Sequence, residues 1–324
     1  MINKKFVSLL ILIFAIPLFA ATAKAADKDV WSTKDERVCL PNSDEEFACF
    51  GVARQYLRNG QVVETPNLSD LLNVSSQVAT FNIQKNPNFK PAAVKAIAGG
   101  SLANAYSIDK NLGSASDVVA IIDAYDSPSA YSNMSKFRSD NGLKPIIDCT
   151  SSFNSNSSTW PSAGASPCFV KVNQNLSKSP LPKANSGWAN EIDLDIQAVS
   201  AICPNCSILL VEANSASLSN LGTAISKTAN LAYVKSISNS YGTSSDYSQA
   251  TNSAWNIAAA NKRVFASSGD AGYQTSASFP ASNTNVVAVG GTTLNIGSDG
   301  KRISESAWSG AGSGCSTSNA KPTW

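Results

Sequence analysis

The 324-residue sequence contains no histidine. That absence removes a Ser-His-Asp triad, a Cys-His dyad and His-ligated zinc from the chemistry open to this chain. Any hydrolysis it takes part in must leave the proton work to carboxylates. Glu191-Ile-Asp-Leu-Asp195 sets two acids four residues apart, which on a helix puts both on one face. Apolar positions 192, 196 and 199 run beside them, so the pair is expected to be partly buried, with a shared proton or a raised pKa. The same spacing is the ordinary pattern of a solvated acidic face, where like charges cost only ~0.2–0.5 kcal/mol. Ser267-Ser-Gly-Asp-Ala-Gly272 follows an apolar run, and Asp270 there reads either as a working acid or as a turn residue bonding local amides. Ser238-Asn-Ser-Tyr-Gly242 ends another such run, and small side chains at a strand edge can accept an extended peptide as an added strand.

The surrounding pattern supplies the elements that must position these blocks. Residues 117–122 read as a buried strand and 129–139 as a helix. Residues 150–187, rich in Ser, Asn and Pro, read as a long surface loop. Apolar residues at 188, 192, 196, 199 and 202 give a helical period up to Ile202. Then follow a strand at 207–213, a helix at 217–231, a strand at 233–239, a helix at 246–261, and strands at 263–267 and 285–290. This alternation means an α/β fold, a parallel sheet with helices on both faces, whose working residues sit beyond the carboxyl ends of the strands. No internal repeat or phosphate-binding glycine loop stands out.

The first 25 residues read differently. Lys4 and Lys5 precede an apolar run from Phe6 to Phe19, and Ala23-Lys24-Ala25 carries a signal-peptidase signature. The mature chain is expected to start near Ala26 and to be secreted or periplasmic, with no membrane span. Without Lys4, Lys5 and Lys24, the 25 Lys+Arg fall to 22 against 23 Asp+Glu, so the composition implies no nucleic acid or other polyanionic partner. Residues 26–92 are polar and weakly patterned, a short extension or pro-segment before a main domain at 93–324. For an exported protein, local pairing of the seven cysteines gives Cys39 with Cys49, Cys149 with Cys168 and Cys203 with Cys206, leaving Cys315 alone. Cys203-Pro-Asn-Cys206 closes a helix rather than opening one, which favours a structural disulfide over a redox site.

Taken together, the blocks resemble the sedolisin family, serine-carboxyl peptidases of subtilisin-like fold. The resemblance runs over about residues 95–324 through Val118-Val-Ala-Ile-Ile-Asp-Ala-Tyr-Asp126, Trp188-Ala-Asn-Glu-Ile-Asp-Leu-Asp195, Ala201-Ile-Cys-Pro-Asn-Cys206 and Ser238-Asn-Ser-Tyr-Gly242. It continues through Ser267-Ser-Gly-Asp-Ala-Gly272, Phe279-Pro-Ala-Ser282, Val289-Gly-Gly-Thr292 and Trp308-Ser-Gly-Ala-Gly-Ser-Gly-Cys315. The missing histidine agrees with a family that uses glutamate where subtilisins use histidine. The resemblance implies a secreted, monomeric endopeptidase acting on polypeptides at acid pH. Glu191 would be its general base, Asp195 the coupled carboxylate, Asp270 a protonated oxyanion donor and Asp123 an acid behind the pair. Ser240, Tyr241 and Gly242 would offer backbone groups to the substrate.

One departure matters. The family's nucleophile lies in a Gly-Thr-Ser block far downstream of the oxyanion aspartate, and its calcium ligands lie later still. Both are expected beyond Trp324, so the fold is expected to be incomplete at the C-terminus and the chain inactive as written. Gly242-Thr243-Ser244 has the right letters but precedes Asp270 and is rejected. A non-catalytic peptide-binding relative and an unrelated secreted α/β binding module are the alternatives.

Overall fold

The computed structural model describes residues 31–37, 47–49, 52–59, 61–63, 102–109 and 111–323, except 244, 252, 256, 258–262 and 298. The expected signal peptide and Cys39 lie outside these residues. The described chain opens with β1 (Trp31–Arg37), β2 (Ala48–Cys49), β3 (Val52–Arg58) and β4 (Gln61–Val63), then a short helix α1 (Leu102–Ala105). The central elements are β5 (Val118–Ala124), α2 (Ala130–Asp140), β6 (Ile147–Asp148), β7 (Cys168–Asn173), α3 (Ser186–Ile202), β8 (Ser207–Ala213), α4 (Leu218–Ala229) and β9 (Val234–Asn239). They are followed by β10 (Tyr241–Gly242), β11 (Arg263–Ser267), β12 (Val287–Val289), β13 (Thr292–Ile296) and β14 (Arg302–Ala307).

Seven of these strands make one sheet in the order β12-β11-β9-β5-β8-β7-β6. Every neighbouring pair in it is parallel. The centre of the sheet is buried on both sides, which is why β5 and β8 read as continuous apolar runs rather than alternating ones. Side chains nevertheless alternate between faces, and the register sorts them. Ile121, Ile208, Leu210 and Phe169 face the side where Met134 of α2 and Ile192 and Ile196 of α3 complete a core. Ile122, Leu209, Val211 and Val170 belong to the other core, with Leu221, Ala224 and Ile225 of α4. Helices thus cover both faces, as the sequence pattern predicts.

The strand order explains where a site can form. β8 lies on one side of β5, and the chain then passes α4 to place β9 on the other side. Strand order therefore reverses at the carboxyl end of β5, which opens a crevice there. Asp123 is the penultimate residue of that strand.

Two expected elements need correction. Residues 150–187 are not all surface loop: Cys168–Asn173 is a largely buried strand inside the sheet. Its short apolar run is flanked by Ser, Asn and Pro, and the flanks dominated the composition. No α-helix runs through the described residues of 246–261, which make 3-10 turns at Gln249–Thr251 and Ser253–Trp255. Local polar bonds compete with a helix here. Asp246 accepts from the Thr317 and Ser318 amides at 2.8 and 3.0 Å, and Gln249 N donates to Asn319 Oδ1 at 2.8 Å.

The extension is also more structured than its weak pattern suggests. β1, β3 and β4 form an antiparallel sheet. Phe47 is fully buried among Tyr241, Trp255 and Phe279, with ring centroids 5.3, 5.7 and 6.5 Å away. Cys149–Cys168 and Cys203–Cys206 are disulfides, Cys49 is disulfide-bonded, and Cys315 is free and exposed.

Candidate active site

The helix α3 starts where its sequence says it should. Asn185 has extended backbone, and its side-chain oxygen accepts from Gly187 N at 3.0 Å and Trp188 N at 3.1 Å. A cap of this kind contributes ~1 kcal/mol. One stripe of the helix, Ile192 and Ile196, is sunk into the core. The adjacent stripe carries Glu191 and Asp195, which are 2% and 8% exposed. The pair is therefore buried, and the solvated-face reading does not hold.

Below it lies Asp123, with no exposed surface. Burial, then the charges of Asp195, Glu191 and Glu212, push its carboxyl well above the usual range. Each of those acids is thus close enough to bias Asp123. Asp195 is pushed up to about 7 by burial, against the opposing pull of a hydrogen bond from Ser240 Oγ at 2.8 Å. Like charges crowded in low dielectric keep their protons, so at acid pH Asp123 and Asp195 are neutral. The group can hold and pass protons without imidazole.

Ser240 and β10 follow directly from β9, the strand beside β5. The Tyr241 ring is buried, its hydroxyl donating to Asn239 Oδ1 at 2.7 Å, and burial with the charges of Asp123 and Asp195 raises its pKa. The edge of β10 is already paired. Tyr241 lies opposite Cys49 and Gly242 opposite Ala48 in an antiparallel ladder. Residues expected to receive a substrate strand instead hold a strand of this chain's own extension.

Asp270 stands three residues beyond β11, the neighbour of β9, so it belongs to the same edge of the sheet. Gly269 at φ +106° and Gly272 at φ +67° shape its loop. The 308–315 segment braces that loop. Gly312 N donates to Gly269 O at 2.6 Å, and Gly272 N donates to Gly310 O at 2.9 Å. A Cβ at Gly312 would sit 2.0 Å from Ser268 O, so this approach requires glycine. Asp270 is half-buried, with its Oδ2 secluded from water.

Glu212 was not singled out from the sequence. It pairs in register with Asp123 and is fully buried, and burial pushes its carboxyl up to about 9, with Lys171 and the Ser127 amide pulling the other way. A lone acid inside Ile-Leu-Leu-Val-Glu-Ala, an otherwise apolar strand, was the available signal. Among the described residues no group of three or more His, Cys, Asp or Glu could hold a metal ion.

No protein-family model matches the chain, and no curated protein sequence matches it. Among solved structures it is similar to a Pseudomonas sedolisin, a serine-carboxyl proteinase complexed with two molecules of pseudo-iodotyrostatin. That match has a TM-score of 0.54 and 23% identity, and covers 70% of this chain and 64% of the sedolisin chain. A psychrophilic subtilisin-like protease from the Antarctic psychrotroph Pseudoalteromonas sp. AS-11 matches at TM-score 0.31 and 16% identity, over 59% and 40% of the two chains. The chain spans about 64% of the length of the sedolisin chain it matches, and over that span it has the sedolisin, subtilisin-like fold.

Proposed function

We propose that this chain carries the proton-handling half of an exported, acid-acting serine-carboxyl endopeptidase. The observation that carries the reading is the buried gathering of Asp123, Glu191 and Asp195 at the switch point of a subtilisin-like sheet, in a chain without histidine. Glu191 is the general base for the attacking hydroxyl. Asp195, kept neutral by its burial, orients Glu191 and exchanges a proton with it, and Asp123 backs the pair. Asp270, protonated in acid, donates to the oxyanion that develops on the scissile carbonyl. The substrate is a polypeptide laid along Ser240, Tyr241 and Gly242.

Two further assignments belong to this reading. The segment on β10 occupies the edge an incoming polypeptide would take, which supports residues 26–92 as a pro-segment. The attacking hydroxyl is not assigned to a serine of residues 1–324, and the 324-residue chain alone is expected not to turn over.

A fusion that places a sedolisin Gly-Thr-Ser segment after residue 324 supplies the test. The protein joining this chain to a downstream Gly-Thr-Ser block is expected to cleave denatured polypeptide at pH ~3–5, near the range where free carboxylates titrate. Glu191→Gln is expected to lower that cleavage by ~10²–10⁴ and Asp270→Ala by ~10²–10³. Full cleavage by both variants, or sustained cleavage by the 324-residue chain that is lost on Glu191→Gln, would overturn the assignment.

A further inference from the structure

Beside the proposed acids lies a second buried polar group that the mechanism does not use. The turn that follows β5 passes through Tyr125 at φ +63°, an unfavourable conformation for a bulky side chain. Contacts from three directions hold it there. Tyr125 N donates to Ala213 O at 2.7 Å, and Ser127 N donates to Glu212 Oε1 at 3.0 Å. Lys171 Nζ pairs with Asp126 Oδ1 at 2.5 Å and donates to Ser127 O at 2.9 Å.

The same turn is tied to the start of α3. Asp126 N donates to Lys183 O at 3.2 Å, and Asp126 O accepts from Asn185 N at 3.3 Å. Asn185 is the residue that caps α3. Glu191 lies six residues further on, ~9 Å along the helix, so a displaced start carries both helical acids with it.

We propose that Lys171, Asp126 and Glu212 form a partly buried bracket that positions Glu191 and Asp195 by fixing where α3 begins against the end of β5. The inference rests on the reading of those two acids given above. A purely stabilising role accounts poorly for Glu212. Lys171 pairs with Asp126 at 2.5 Å and reaches Glu212 Oε1 only at 3.8 Å, so Glu212 is a fully buried acid held by the longer arm of a shared ion pair. An apolar residue of similar volume there would cost less than an acid. What an apolar residue cannot do is accept the Ser127 amide. The groups facing Glu212 are Lys171 from β7, Asp126 from the turn and Asp123 from β5. Those facing Asp195 are Ser240 after β9, Asp123 from β5 and Tyr241 from β10.

The test follows the carboxyl resonance of Asp195 by 13C NMR in the whole chain as pH is varied. Glu212→Ala and Lys171→Met are each expected to lower its midpoint by about one pH unit, a tenfold change in proton affinity. Glu212→Gln keeps a neutral acceptor for Ser127 N and is expected to restore the original midpoint. Ile225→Ala opens the other core of the same sheet, and is expected to weaken folding without moving Asp195. If Glu212→Ala does not fold, Lys171→Met decides. An unmoved midpoint in the bracket variants, an equal shift in Ile225→Ala, or no rescue by Glu212→Gln overturns the proposal. The readout needs no turnover, so failure of the peptidase reading would register separately.

Discussion

Replacing Phe47 with alanine tests whether the N-terminal segment is part of the folded domain. β2 itself contributes only Ala48 and Cys49, so the ring of Phe47 is its main apolar anchor. That ring has no exposed surface and packs edge-on against Tyr241 at 5.3 Å and 76°. Emptying such a site costs ~3–5 kcal/mol, transfer and cavity terms together. At 1.4 kcal/mol per decade this lowers the folding equilibrium by about a hundredfold to a few thousandfold. Domains hold only ~5–15 kcal/mol in total, so the variant is expected to be folded but marginal. The assay is urea unfolding, paired with amide exchange at Tyr241 and Gly242, which lie opposite Cys49 and Ala48. Leu112→Ala, at a site 59% exposed, is the control and is expected to stay within ~0.5 kcal/mol of the parent. A Phe47→Ala loss under ~1 kcal/mol, with exchange at 241–242 unchanged, would refute the view that this segment is locked into the core and onto β10.

Other expectations follow from the same structure. Asp195 rises from 3.8 to about 7 and Glu212 from 4.5 to about 9 on folding, so the native state holds these protons more tightly than the unfolded chain. Their contribution is full below pH 3.8 and is lost as pH climbs toward 9, so the urea midpoint is expected to fall over that range, and a flat profile would contradict it. Asp246 works with the opposite sign. Against the upward pull of burial, bonds from Ser316, the Ser318 and Thr317 amides and Ser282 lower its pKa. Its contribution is present above 3.8 and lost as pH falls through the lowered folded value, and Asp246→Ala is expected to raise protease sensitivity at 313–319 at neutral pH. Gly312→Ala is expected to displace the Asp270 loop, because the added carbon meets the Ser268 carbonyl at 2.0 Å; unchanged amide shifts at 268–272 would show that the brace is unimportant.

Much of the scaffold was legible because burial writes a periodic record. α3 declared itself through 188, 192, 196, 199 and 202, and β8 and β11 through short apolar runs ended by small or polar residues. The acid pair was legible as a spacing, and apolar positions beside it implied partial burial, but its nearly complete burial was not legible. That depends on Asp123 and Tyr241, which reach α3 only through the sheet. β7 was hidden by polar flanks, although its pairing with β8 is long-range and strong in register. The absence of an α-helix among the described residues of 249–255 depends on partners about 70 residues away, Ser316 to Asn319, which no local window contains. Phe47 looks like any apolar residue in a polar extension until Trp255 and Phe279 are brought around it. Glu212 carried a local sign, a single acid in a buried strand, and its meaning needed the register with Asp123.

Glu191, Asp195 and Asp123 are proposed to act as one electrostatic unit in place of an imidazole. Titrating the labelled carboxyls of the whole chain, with and without Glu191→Gln, measures this directly. Asp195 is expected to titrate at about 7 and Asp123 above the usual range, and removing the Glu191 charge is expected to lower Asp123. Asp123 and Asp195 both titrating near 3.8, and indifferent to Glu191→Gln, would contradict it.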